Sequence, residues 1–92
     1  MSERAPLSFL IAEYAGVEVI HPESELIERV AYNALRRRMR VTFASGRIVD
    51  FTETPDTVFR AFARSQAPDD FFEKRIRGQF AWCEVGSATV HE

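Results

Sequence analysis

The sequence is poor in the residues that build catalytic and metal centres. It has one cysteine, Cys83, and two histidines, His21 and His91, so neither a disulfide framework nor a cysteine-based zinc site can be assembled. No pair of these three residues has ligand spacing, and no serine stands in a Gly-x-Ser-x-Gly turn with a histidine placed to serve it. There are only four glycines, and no glycine-rich loop precedes a helix pattern, which excludes that route to a nucleotide phosphate. Apolar runs extend for a few residues, far short of the roughly 20 that span a bilayer. The N-terminus lacks a basic segment leading into an apolar stretch with a small-residue cleavage site. The expectation is a cytoplasmic protein with no membrane segment, no cofactor, no metal and no catalytic centre.

What is present suits one folded domain. The 92 residues are 46% hydrophobic and 28% charged, a globular profile rather than that of a disordered tail or a coiled-coil rod. A chain of this length buries roughly 60–65% of its unfolded surface, enough to fold without staples. The net charge of −2 hides an uneven distribution. Residues 1–28 carry −5, residues 29–49 carry +6 with no acid at all, and residues 50–92 carry −3. Such asymmetry marks either a polyanion-binding surface or two segments that pack against each other.

The spacing of apolar residues sets out the elements. Leu7, Leu10, Ile11 and Tyr14 recur at helical intervals ahead of Gly16, and Val17–Ile20 reads as a short strand stopped by His21-Pro22. Ile27, Val30 and Tyr32 indicate a second strand, with a turn beginning at Asn33-Ala34. Arg38 to Phe43 alternates cleanly, with Met39, Val41 and Phe43 on one face and Arg38, Arg40 and Thr42 on the other. After Ala44-Ser45-Gly46, Arg47 to Phe51 forms the next strand.

The hairpin register follows from where Asp50 would fall. A two-residue loop pairs Val41 with Asp50 and places a lone carboxylate on the core face, which is costly. A three-residue loop with Gly46 in the left-handed region pairs Val41 with Val49 and Met39 with Phe51. It also sets Arg40 opposite Asp50, a favourable cross-strand pair. The three-residue loop is therefore expected.

Thr54-Pro55-Asp56 reads as a helix start, with Thr54 as cap, Pro55 at the first helical position and Asp56 at the positive end of the dipole. Val58, Phe59 and Phe62 form its apolar stripe. Ala67-Pro68 breaks the helix, and Asp69 is placed to cap a second one running to about Arg77, with Phe72 and Ile76 on one face and Gly78 at the end. Phe80 to Val85 reads as a last strand or an extended tail. Most of the eight Phe and two Tyr fall at core spacing, whereas Trp82, the single tryptophan, does not.

Taken together, Ser24, Ile27, Val30, Tyr32-Asn33, Met39, Val41, Phe43, Gly46, Val49, Phe51, Pro55, Phe59, Phe62, Phe71-Phe72, Ile76-Arg77 and Phe80 form a pattern that resembles the KTSC domain. That family takes its name from the C-terminus of some lysyl-tRNA synthetases and also occurs as small stand-alone bacterial proteins. The resemblance implies a small α+β domain for which RNA binding has been suggested. It also divides the chain into an N-terminal extension at 1–23, the domain at 24–80 and a C-terminal extension at 81–92. The sequence departs from the family where a Tyr-x-Tyr would stand, at Val49-Asp50-Phe51. A Val-Pro is replaced by Thr54-Pro55, and an Ala-x-Ser-x-Gly segment by Ser65–Asp69.

The expected fold is α+β, a three-stranded antiparallel meander with two short helices packed on one face. The N-terminal extension and the residues after Phe80 would cover the other face or pair with another chain. If Met39, Val41 and Phe43 face the core, Arg36, Arg38 and Arg40 point away from it, joined by Arg29 from the preceding strand. A row of guanidinium groups suits phosphate oxygens, and a solvated or covered face is the plain alternative. The functional expectation is a non-catalytic binding module with weak, sequence-independent affinity for RNA through these four arginines. The alternative is a protein-interaction or self-associating domain whose arginine face meets an acidic surface.

Overall fold

The computed structural model describes residues 17–87. The chain forms five strands, β1 (Val17–Ile20), β2 (Ile27–Asn33), β3 (Arg38–Phe43), β4 (Arg47–Phe51) and β5 (Trp82–Ser87). They make one antiparallel sheet in chain order, β1-β2-β3-β4-β5. The expected three-stranded meander is its centre. Val17–Ile20 and Trp82–Ser87 extend it at the two edges, so the sheet has five strands rather than three, and these segments add to its width instead of covering a face. The helical periodicity at Leu7 to Tyr14 lies outside the described residues.

Between β4 and β5 the chain crosses one face of the sheet through two helical segments. The first is α1 (Asp56–Arg64), and the second is α2 (Pro68–Phe71), which continues as a π-helical turn over Phe72–Ile76. The core lies between this layer and the sheet, with Ile27, Val30, Tyr32, Met39, Val41, Val49 and Phe51 from the strands. Phe59, Phe62, Phe72 and Ile76 come from the helices. Phe43 sits at the margin, half-buried.

The β3–β4 hairpin has the three-residue loop, since Met39 pairs with Phe51, Arg40 with Asp50 and Val41 with Val49. Gly46 takes φ 101°, a conformation that costs glycine little, and its N–H donates to the Phe43 carbonyl at 2.8 Å. In β2 the pairing shifts between Ile27 and Arg29. This bulge explains why Ile27 and Val30, three apart, both face the core: one extra residue is absorbed between them. The β2–β3 turn is held by Asn33 Oδ1, which accepts the Arg36 N–H at 3.2 Å, and it places Arg37 at φ 53°.

Tyr32 ties the sheet to the start of α1. Its ring stacks on Phe59 with centroids 4.8 Å apart, and its hydroxyl donates to the Thr54 carbonyl at 2.7 Å. Burial, and then the nearby Asp56 carboxylate, raise the phenol above its ordinary pKa. Thr54 was expected to cap α1, but the cap position belongs to Pro55, with no side-chain cap bond. Thr54 is buried instead, its hydroxyl donating to the Phe51 carbonyl at 3.3 Å. The buried end of β4 claims it first, because a polar group out of water must find a partner.

Asp69 likewise does not cap the second helical segment. Ala67 is the cap residue, Pro68 opens the first turn, and the Asp69 carboxylate accepts the Ser24 hydroxyl. Ser24 Oγ accepts in turn from the Leu26 and Ile27 N–H groups at 3.0 and 2.7 Å, so one serine joins the entry of β2 to α2. The widened turn is fixed by the Arg77 N–H bond to the Phe72 carbonyl at 2.8 Å. It allows both Phe72 and Ile76 to reach the core.

Candidate functional site: an arginine-lined depression

Alternation along β3 sends Met39 and Val41 toward the helices and Arg38 and Arg40 to the opposite face. On that face Arg36, Arg38 and Arg40 come together around a shallow depression of about 370 Å³, completed by Val17, Ala31, Asn33 and Asp50. Three of the four sequence-selected arginines therefore converge. Arg36 does so from the turn before β3 rather than from the strand itself, so the row is a cluster around the β2–β3 corner and not an evenly spaced ladder. Arg29 stands opposite Thr42 in the register and does not line the depression.

Among the described residues Asp50 is the one carboxylate in this lining. It accepts from Arg40 Nε at 2.7 Å and Nη2 at 3.1 Å, a forked pair, and Arg38 Nη1 lies 3.6 Å away. The cross-strand partnership was legible in the sequence, but the burial was not: Asp50 is only 1% exposed. Two long side chains from the neighbouring strand meet over one short one, and their guanidinium groups close the carboxylate off from water while staying about half exposed themselves. Arg29, Arg36 and Arg37 form no ion pair among the described residues. Among the described residues, one buried acid thus organises a corner to which three arginines contribute.

The remaining chemistry-bearing residues are dispersed. Among the described residues no group of three or more His, Cys, Asp or Glu side chains is placed to hold a metal ion. Cys83 is exposed on β5, and His21 Nδ1 lies 3.3 Å from the Glu28 carbonyl oxygen. Lys74 and Arg77 pair with Asp70 and Glu73 one turn earlier, as their spacing predicts. No helix among the described residues is long and apolar enough to cross a membrane. Sequence reasoning missed Val17 and Asn33 as part of the depression, because both enter it through strand order and turn geometry rather than through a chemical signature.

The family model of the KTSC domain matches residues 23–80. Among solved structures, a KTSC domain protein from Yersinia pestis superposes with a TM-score of 0.72 at 18% identity, over 76% of this chain and 99% of that one. That likeness is one of fold. No curated protein matches the chain.

Proposed function

The chain belongs to the KTSC domain family, and from that premise we propose that it is a small non-catalytic binding module whose arginine corner holds RNA weakly and without regard to sequence. The observation that carries this reading is the depression in which Arg36, Arg38 and Arg40 surround the carboxylate of Asp50. Guanidinium groups bond phosphate oxygens in pairs, and Arg38 and Arg40 stand two residues apart on one strand, about 7 Å. That is the scale of successive phosphates on an extended single strand. Among the described residues no aromatic side chain lines the depression, so bases find none of these to stack on and sequence goes unread.

A second reading, contact with an acidic protein surface or a second copy, draws on the apolar groups that flank the same corner. Leu35 in the turn is 79% exposed, and Val19 on β1 is half exposed. Titration of mixed-sequence RNA at low and moderate salt separates the two. The parent protein should bind with an affinity that falls steeply as salt rises, since each phosphate contact on a single strand adds about −0.7 to the log–log slope. Arg36→Ala/Arg38→Ala should bind more weakly with a slope shallower by about 1.4. Identical behaviour of the two proteins, or no binding by either at low salt, refutes the RNA reading and leaves the protein-contact reading.

A further inference from the structure

The opposite face of the sheet holds a second recess that the arginine corner does not explain. It lies over β4, between Phe43 of β3 and Trp82 of β5, with Val49, Phe51 and Phe72 also in its lining, and it encloses about 110 Å³. Phe72 meets both Phe43 and Phe51 edge-on, with centroids 5.5 and 5.8 Å apart, and so holds the aromatic lining in place. Trp82 pairs across from Phe51 at the edge of the sheet and is 56% exposed. A tryptophan left that open beside an apolar recess is an unfilled contact surface of large area.

Two cations stand in the same lining. Arg47 and Arg77 both contribute, and each is held only by an exposed carboxylate, Glu84 at 3.2 Å and Glu73 at 3.0 Å. Exposed pairs of this kind are worth little, so an incoming anion can replace the resident carboxylate at small cost. We infer that this recess binds a phenyl-type aromatic carboxylate, with the ring against Trp82 and Phe43 and the carboxylate on Arg47 and Arg77.

Size and polarity select that class. A dry cavity of about 150 Å³ holds benzene, so a partly open recess of about 110 Å³ has room for no more than a single six-membered ring, seated with part of it in the mouth. A nucleobase fits less well, because the described lining offers its ring-edge donors no acceptor side chain, while Arg47 and Arg77 favour an anion. Gly78 closes the lining where the chain turns at φ 78°, and no atom lies within 4 Å of where a side chain would begin. The approach is therefore clear on that side.

Trp82 is the only tryptophan, so its fluorescence reports on the recess directly. Titration with 3-phenylpropionate should give a saturable change with a dissociation constant on the order of 1 mM, the affinity open to so small a ligand. The neutral 3-phenylpropanamide should bind at least fivefold more weakly. Arg47→Gln and Arg77→Gln should each weaken the acid several-fold with unchanged circular dichroism, while Arg36→Ala/Arg38→Ala should bind it as the parent does, which keeps this test separate from the RNA titration. N-acetyl-Gly-Phe with a free carboxylate identifies the source: tighter binding than phenylpropionate indicates a peptide chain end, equal binding a free aromatic acid. No saturable change up to about 20 mM, or equal affinity for acid and amide, overturns the assignment.

Discussion

Replacing Asp50 by asparagine should weaken the fold and strengthen the arginine corner at the same time. The carboxylate is buried and receives two bonds from Arg40, with Arg38 close by. Asparagine keeps the shape but turns one acceptor into a donor that faces guanidinium N–H groups, so one arm of the fork is lost. A hydrogen bond to a charged group contributes about 1.5–3 kcal/mol, whereas breaking a fully buried ion pair costs about 3–5 kcal/mol. The two guanidinium groups are close to half exposed and can rehydrate, which favours the lower range. The expected loss is about 2 kcal/mol, a fall in Tm of roughly 8–16 °C for a domain of this size. The same change removes a negative charge from the depression, so RNA affinity at low salt should rise, and the salt slope should steepen by up to about 0.7. Urea denaturation followed by circular dichroism gives the first quantity, and RNA titration of the folded variant gives the second. A loss below about 0.5 kcal/mol would show that the carboxylate is no strut. Affinity that falls together with stability would show that Asp50 arranges the arginines for binding rather than opposing the anion.

Two further outcomes bear on the core. Tyr32→Phe leaves the Thr54 carbonyl without its hydroxyl donor and should cost about 1–2 kcal/mol at neutral pH. The phenol's pKa is raised in the fold above its ordinary value of about 10, by burial first. The folded state thus holds its proton longer than the unfolded chain, and stability contributed by the neutral phenol is complete below pH 10 and lost as pH rises through the folded value. Melting curves taken across that range should fall for the parent and stay flatter for Tyr32→Phe; parallel curves would refute the linkage. Phe62 is buried and stacks on Phe71 at 5.4 Å, so Phe62→Ala should destabilise by about 3–5 kcal/mol in urea. A change within about 0.5 kcal/mol would place the ring outside the core.

The hairpin was legible in the sequence because one residue decided it. Only one loop length kept Asp50 off the core face, and Gly46 could adopt the geometry that loop requires. The helices were legible from Pro55, Pro68 and the spacing of Phe59, Phe62, Phe72 and Ile76. The caps were not, since Thr54 and Asp69 are drawn to partners distant in sequence or buried by the neighbouring strand. Strand β1 was legible as Val17–Ile20, whereas β5, with Trp82 and Val85 exposed, read as a strand or an extended tail. Edge strands lack the strict alternation that burial on one face imposes, so their periodicity says little. At the candidate site, the sequence placed Arg38 and Arg40 correctly by alternation and Arg29 on the same face by register. It could not show that a turn carries Arg36 into the cluster, or that Val17 and Asn33 complete the lining.

Because each strand pairs with its neighbour in the chain, β2, β3 and β4 can assemble through turns of a few residues, and such local closures are fast. β5 is different. It joins β4 only after the helical crossing of residues 52–81 has been laid down. Its pairing therefore closes the longest connection in the sheet. Detachment would bare the edge of β4 and dismantle the recess beside Trp82 together. The topology that keeps β1 to β4 local in the chain thus leaves one sheet edge and one recess dependent on a single late-coming strand.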